Sequence, residues 1–267
     1  MVATEQRRFG TFDLVKANGI FVSTWNEAPL VEAQFASRTD GLGSIGTVDA
    51  IVGREVRLKG EVTGSGDADT VRGNLDAFMA ALYNGEDYLQ LFDSRRLLCR
   101  MTEFDYRYMD GTEYARVEWD LTLRSRYPTW EATSAVTDSV SIVAGTTGSL
   151  AMPANVGVAM AWPEIAITND GSSFSGLQII LTNTSTGAQL SLDGAQMSAS
   201  QTMTVSMLDR TVVGDGGVNA IPTMLSSGPS GQFWGIDGSS TQTLGILLST
   251  SASLTFDVTF RARSWSA

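Results

Sequence analysis

The sequence contains no histidine and only one cysteine, Cys99, among its 267 residues. The absence of histidine excludes Ser-His-Asp and Cys-His catalysis, His-ligated zinc sites and the usual proton shuttle near neutral pH. A single cysteine excludes an intramolecular disulfide, which suits folding in a reducing cytoplasm. No run approaches ~20 consecutive apolar residues, so we expect no membrane insertion. Residues 1–8 carry charges with no apolar run after them, so we expect no secretory signal.

Positive charge is scarce, above all in the second half. Residues 131–267 contain three arginines and no lysine against nine acidic residues, and the whole chain has a net charge of −11. No basic patch is large enough to bind nucleic acid through its phosphates. Because the charge density changes near Trp130, the sequence predicts a first domain over 1–130 and a second over 162–267. Glu131–Gly148 is rich in Thr, Ser, Ala and Gly and has one short apolar patch at Val140–Val143, which predicts a linker over 131–161 with room for one strand at that patch.

The stretch from Arg54 to Arg126 organises the first half. Polar and apolar residues alternate from Arg54 to Val62, which predicts a half-buried strand. Asp67 or Asp69 is then a candidate N-cap for a helix over 70–83, and Asn84-Gly85 is a typical helix end. The helix has one apolar stripe, formed by Val71, Leu75, Phe78 and Leu82.

A long hairpin follows this helix. Its strands are predicted to start at Leu97 and to end near Arg126, with the turn at Asp110-Gly111. On the return strand Val117, Trp119, Leu121 and Leu123 face one way. Earlier in the chain, two short strands over 9–15 and 20–23 flank an Asn18-Gly19 turn. We therefore predict a mainly β protein whose first domain is an α+β unit with one helix on antiparallel sheet.

The second half reads as a series of short strands separated by turn residues. Such a series without helices predicts a β-sandwich or jelly-roll. In the last strand Leu254, Phe256, Val258 and Phe260 are expected to face inward, and Arg263 outward. The predicted strands cover residues 164–169, 177–183, 189–193, 202–208, 210–213, 233–236, 243–248 and 254–263.

No motif requires a cofactor, a metal or a catalytic residue. Gly64-Ser65-Gly66 lacks the third glycine of a dinucleotide loop, because Asp69 stands in its place. Asp170-Gly171-Ser172 and Asp215-Gly216-Gly217 lie outside any spaced array of oxygen ligands, so we expect no calcium site. We therefore predict a protein that is not an enzyme.

Two alternative functions stay open at this stage. Glu118 and Asp120 share one strand face and could serve a carboxylate-based glycan hydrolase. Arg116 and Arg124 lie on the same face, however, so an exposed ion-pair surface is favoured. The other alternative is a carbohydrate-binding module, in which Trp234 would stack on a glycan. The aromatic stripe of Phe104, Tyr106 and Tyr108 predicts core packing or a subunit contact, with a sugar platform as the less favoured interpretation.

The order of these segments resembles the distal tail proteins of siphophages. In the first half the resemblance rests on the strand Arg54–Val62, the helix, the hairpin and the closing Tyr127-Pro128-Thr129-Trp130. In the second half it rests on an N-x-x-T-G turn, a hairpin with Asp209-Arg210, a G-x-N-A loop, a Phe-Trp pair and a final Arg-Ala-Arg-Ser-Trp. Those motifs correspond here to Asn183–Gly187, Met203–Val213, Gly217–Ala220, Phe233-Trp234 and the end of Thr255–Trp265.

The resemblance implies a hexameric hub ring that connects the phage tail tube to the tail tip or baseplate. N-terminal domains would form the ring, galectin-like C-terminal sandwiches would lie outside it, and the lumen would pass genomic DNA without binding it specifically. The partners implied are the tail tube protein and tail-tip hub proteins, in the virion, assembled in the host cytoplasm. In such a virion the carbohydrate-binding alternative would be a module of a phage adhesion device. We further predict that residues 38–46 form a long projecting loop, in which Arg38, Asp40, Gly41 and Gly43 contact a neighbouring subunit.

Overall fold

The computed structural model describes residues 7–15, 19–37, 44–64, 67–92, 94–109, 116–214, 232–238 and 241–265, and only the backbone of 31–37 and 44–52. The chain forms two units: Met1–Thr133 together with Trp265–Ala267, and Ser134–Ser264. In the described ranges both units are built mainly from antiparallel strands, and one helix lies in the first unit. The prediction of a mainly β fold with a single helix is confirmed.

The first unit is an antiparallel sheet with a helix on one face. Its strands follow the order β2-β1-β5-β6-β7-β4-β3, and a further short strand, β8, pairs with β6. In chain order its elements are β1 (Arg8–Phe9), β2 (Phe12–Asp13), β3 (Ile20–Ser37), β4 (Ser44–Thr63), α1 (Ala68–Tyr83), β5 (Glu86–Phe92), β6 (Arg95–Tyr108), β7 (Arg116–Ser125) and β8 (Trp130–Ala132).

Helix α1 begins and ends where the sequence signals predict. Asp67 is the N-cap, and its carboxylate accepts hydrogen bonds from the backbone N–H groups of Asp69 and Thr70. The Thr70 hydroxyl, the largest influence, and these N–H groups lower the pKa of Asp67. At the other end Gly85 has φ +105°, a conformation that favours glycine. The buried residues of α1 are the four of the predicted stripe: Val71, Leu75, Phe78 and Leu82.

Strand β7 provides the surface on which α1 packs. Its buried apolar residues Val117, Trp119, Leu121 and Leu123 belong to the same hydrophobic cluster as the helix stripe. The predicted alternation along this strand is therefore confirmed. Its turn at Asp110-Gly111 lies outside the described residues, as does Asn18 of the first predicted turn.

The prediction of a long loop over 38–46 is wrong at its C-terminal end. Strands β3 and β4 pair along their length, and the last described pairs are Phe35 with Gly46, Ala36 with Ile45 and Ser37 with Ser44. Backbone pairing thus extends through a Gly- and Ser-rich segment whose composition favours a loop. Residues 38–43 lie outside the described ranges.

The second unit is a seven-stranded antiparallel sheet in its described part. The long strand β15 pairs with β9 along one edge, while on its other edge its first half pairs with β11 and its second half with β10. Buried residues of the strands that pair with the first half and with the second half of β15 belong to one core cluster. The seven strands of this sheet are β9 (Val136–Ala151), β10 (Glu164–Asn169), β11 (Phe174–Asn183), β12 (Ala188–Met197), β13 (Thr202–Ser206), β14 (Thr211–Val213) and β15 (Thr243–Phe260). A short strand outside this sheet follows, β16 (Arg263–Ser264).

Three details differ from the sequence predictions for this half. The strand allowed for in the predicted linker is longer than its apolar patch: residues 136–151 form β9, because pairing with β15 requires backbone groups and not apolar side chains. Residues 233–236 form no strand; Ile236 makes one isolated bridge to Ala161. Arg263 is buried, since β15 ends at Phe260 and the alternation does not continue through it. The Gly217–Ala220 motif lies outside the described residues.

Candidate interaction surfaces

The four residues predicted to contact a neighbouring subunit, Arg38, Asp40, Gly41 and Gly43, all lie outside the described residues. What the structure describes is the ladder that leads to them. The final pair of that ladder, Ser37 with Ser44, joins two antiparallel strands of 18 and 20 residues. Residues 38–43 therefore connect the ends of a long β-hairpin.

Trp234 does not offer its ring to a ligand. The residue is 4% exposed and belongs to the core of the second unit. A sugar that stacks on an aromatic side chain needs an exposed ring face, so the proposed glycan-stacking role of Trp234 is wrong. The Phe233-Trp234 pair is apolar because it contributes to the core, and sequence composition alone does not distinguish this role from a binding platform.

The face of the first sheet opposite α1 carries a ladder of ion pairs. Lys59 Nζ lies 2.6 Å from Asp120 Oδ2, and Arg107 Nε lies 2.8 Å from Glu118 Oε2. Glu118 and Asp120, the carboxylates considered for glycan hydrolysis, thus each form an ion pair with a basic side chain. The predicted ion-pair surface is confirmed, since both carboxylates are bonded to basic side chains.

Two further carboxylates of β4 extend this ladder. Glu55 accepts hydrogen bonds from Arg57 Nε and from Arg124 Nε, each at 3.0 Å. The hydrogen bond from Arg57 is the largest influence that lowers the pKa of Glu55; Arg124 acts in the same direction and partial burial opposes both. Arg116 Nη2 donates a hydrogen bond to Glu61 Oε1, and this bond raises the pKa of the Arg116 guanidinium. The charged form of Glu55 is therefore favoured.

The aromatic stripe on β6 extends from the core to the surface. Phe104 packs edge-on against Phe78 with ring centroids 5.5 Å apart. Tyr106 and Tyr108 are 46% and 36% exposed, and their ring centroids lie 6.2 Å apart. The first residue of the stripe thus packs against the core, as predicted, while the two tyrosines are partly exposed.

A buried polar cluster around Arg54 was missed by the sequence reasoning. The Arg54 side chain is 6% exposed, and its Nη1 lies 2.9 Å from Glu27 Oε2. Arg54 Nε donates to the carbonyl oxygen of Pro128 at 2.9 Å, and Nη2 donates to that of Trp265. Trp130 Nε1 donates to the same Glu27 oxygen at 2.7 Å. One guanidinium thus joins β3, the segment before β8 and the C-terminal segment of the first unit.

The position of Arg54 in the alternation of β4, in phase with the buried residues, was the signal that could have revealed this cluster. Val56, Leu58 and Val62 are fully buried, and Arg54 stands at an even position in the same alternation. A charged residue in phase with a buried face requires a partner. The other half of the cluster, Glu27, could not be identified from sequence, because the pairing of β3 with β4 includes three register shifts.

The remaining chemistry of the described residues is sparse. They contain no group of three or more His, Cys, Asp or Glu side chains that could hold a metal ion. Cys99 is fully buried, and desolvation raises the pKa of its thiol far above the ordinary value, so the thiol is not poised as a nucleophile. No helix in the described ranges is long and apolar enough to span a membrane.

No protein-family model matches this sequence, and no curated protein matches it. Among solved structures, the crystal structure of the Dit protein (gp 19.1) of phage SPP1, a paradigm of the hub adsorption apparatus in phages that infect Gram-positive bacteria, is similar to this chain. The similarity covers 96% of this chain and 98% of that chain, with a TM-score of 0.63 and 15% sequence identity. A chain of the phage P2 baseplate in its activated conformation with Ca has a TM-score of 0.45 and 9% identity, over 97% of this chain and 91% of that one. At the level of fold, the resemblance read from the sequence is confirmed: over nearly its whole length this chain has the fold of a phage distal tail (Dit) hub protein.

Proposed function

We propose that this chain is a structural protein of a phage virion, a hub protein that forms a ring at the tail tip. The observation that carries the proposal is the similarity to SPP1 Dit, which extends over both units. The chemistry of the described residues supports it, because Glu118 and Asp120 are occupied in ion pairs and the thiol of Cys99 is buried. A protein with this role needs surfaces for neighbours and no catalytic set.

The ring is proposed to contain six copies and to connect the tail tube protein above to tail-tip or baseplate hub proteins below. A net charge of −11 suits a ring whose lumen passes genomic DNA, because acidic walls repel phosphates and prevent binding. Within the ring, Arg38 and Asp40 are proposed to pair with a neighbouring subunit, with Gly41 and Gly43 at the same hairpin end. Assembly would take place in the host cytoplasm, where a lone thiol stays reduced.

Native mass spectrometry and negative-stain electron microscopy of the purified full chain test this function. The expected result is a species of six subunit masses and a closed ring with a central opening. The measurement should be made over a range of protein concentrations, because weak self-association is favoured by mass action. A strictly monomeric chain at concentrations close to those of assembly, also in the presence of its tail tube protein, contradicts the proposal.

The carbohydrate-binding alternative has no observation in its favour among the described residues, since Trp234 is buried. The hydrolase alternative likewise has no support, because its two carboxylates, Glu118 and Asp120, form ion pairs with Arg107 and Lys59. We therefore propose one function only.

A further inference from the structure

A basic groove lies beside the C-terminal end of α1 in the first unit. It has a volume of about 680 Å³, and its walls include three arginines, Arg100, Arg124 and Arg126, against one glutamate, Glu86. This composition contrasts with the rest of an acidic chain of net charge −11. Leu30, Tyr83 and Met101 add apolar surface to the same groove.

The arginines are only partly neutralised by the protein itself. Arg100 and Arg124 are direct neighbours across β6 and β7. The same row of the sheet has one carboxylate at each end, Glu55 beside Arg124 and Glu86 beside Arg100. Arg124 is held by Glu55 at 3.0 Å, and Arg126 approaches Glu86 at 3.7 Å. Arg100 has no ion pair among the residues that the structure describes. The groove therefore offers an external anion one guanidinium without an ion pair, that of Arg100, and one with a long ion pair, that of Arg126.

An aromatic side chain at the edge of the groove points to a protein ligand. Tyr83, the last residue of α1, is 67% exposed. Exposed tyrosine next to arginine is the combination that is enriched in protein–protein interfaces. A groove of this size, with Glu86 in its wall and Glu55 beside Arg124, does not provide the continuous basic track that a nucleic acid backbone requires.

We propose that this groove is a docking site for an acidic segment of a partner protein, one that combines carboxylates with apolar side chains. The carboxylates would bind Arg100 and Arg126, and an apolar side chain would contact Tyr83. Charge complementarity carries the assignment, because Arg126 has only a long ion pair, Arg100 has none among the described residues, and a carboxylate of the partner would supply the countercharge. That the partner is a neighbouring tail protein, and not a second copy, rests on the proposed function.

Fluorescence anisotropy with the full chain and labelled probes tests the site. The probes are a peptide of alternating Glu and Leu, its Lys and Leu counterpart, and a duplex DNA of equal net charge to the first peptide. We expect the Glu peptide alone to bind, with an affinity that falls as salt shortens the Debye length below about 10 Å. The double variant Arg100→Glu/Arg126→Glu should weaken this binding by about tenfold or more, since it replaces two attractions by repulsions.

Arg72→Glu is the matched control, because Arg72 is 64% exposed on α1, outside the groove. It should leave peptide binding unchanged, and thermal melts should show that all variants are folded. Absent binding of the Glu peptide, equal binding of the Lys peptide, tighter binding of DNA, or an equal effect of Arg72→Glu overturns the proposal. Native mass spectrometry of the same variants distinguishes failure of the docking site from failure of the proposed function. Loss of rings in the double variant alone would make the groove a contact between copies and overturn the inference. A monomeric parent chain would contradict the proposed function only.

Discussion

Replacing Phe78 by alanine tests how α1 is held on the sheet. The Phe78 side chain is fully buried, and its ring lies 5.7 Å from that of Phe12, 5.5 Å from that of Phe104 and 5.1 Å from that of Trp119. Truncation of a buried phenylalanine costs about 3–5 kcal/mol, through lost transfer energy and the cavity that remains. Because aromatic pairs add about 0.5–1.5 kcal/mol each beyond buried area, we expect Phe78→Ala to lie in the upper part of that range.

Urea unfolding followed by tryptophan fluorescence and circular dichroism measures this loss, with an unchanged m-value as evidence that the mechanism of unfolding is the same. Phe78→Leu should lose less, since it keeps most of the apolar volume. Arg72→Ala should change the unfolding free energy by less than about 0.5 kcal/mol, because its side chain is exposed and its ion pair with Asp69 is long at 3.5 Å. Similar losses for Phe78→Ala and Arg72→Ala would mean that α1 does not bury its apolar stripe.

Three other expectations follow from the first unit. Glu27→Gln should cost about 3–5 kcal/mol in urea melts, since it leaves the guanidinium of Arg54 buried without its countercharge, and a loss below that of Arg72→Ala would contradict the role of the cluster. The pKa of Glu55 is lowered in the folded state, so charged Glu55 stabilises the folded protein fully above the unfolded pKa, and this stabilisation is lost as pH falls through the folded pKa. The difference in unfolding free energy between the parent and Glu55→Gln should therefore vanish in acid. A difference that grows as pH falls would contradict this sign. Deletion of residues 40–43 should leave the melting midpoint unchanged, because the Ser37–Ser44 pair is kept, but should weaken ring formation in native mass spectrometry; rings as stable as those of the parent would make the hairpin end passive.

The elements that could be predicted from sequence are those with a local physical signature. The helix has an N-cap aspartate, one apolar stripe and a glycine with positive φ just after its end, so each of its features is encoded within about 20 residues. Strand β7 has strict alternation, and so does the second half of β15. In these segments the side chains alone determine which face is buried.

Strand β9 shows where that signature is missing. Of its 16 residues only Ile142 and Leu150 are buried apolar residues, and the rest are mostly exposed Thr, Ser, Gly and Val. Its order comes from backbone pairing with β15, which any of these residues can make. A polar strand and a polar linker therefore have the same composition, and the difference between them is a partner far away in the chain.

The same reasoning separates the sites that sequence could predict from those it could not. Glu118 and Asp120 were expected in ion pairs because the alternation of β7 places arginines on the same strand face. The Arg54–Glu27 pair and the Arg100–Arg124 neighbours instead depend on the register between strands. A slip of one residue in that register would move every side chain to the opposite face. Bulges between β3 and β4 and between β6 and β7 fix the register in a way that no periodicity reveals. Surfaces that recognise partners across a sheet can thus be located only after the strands are aligned.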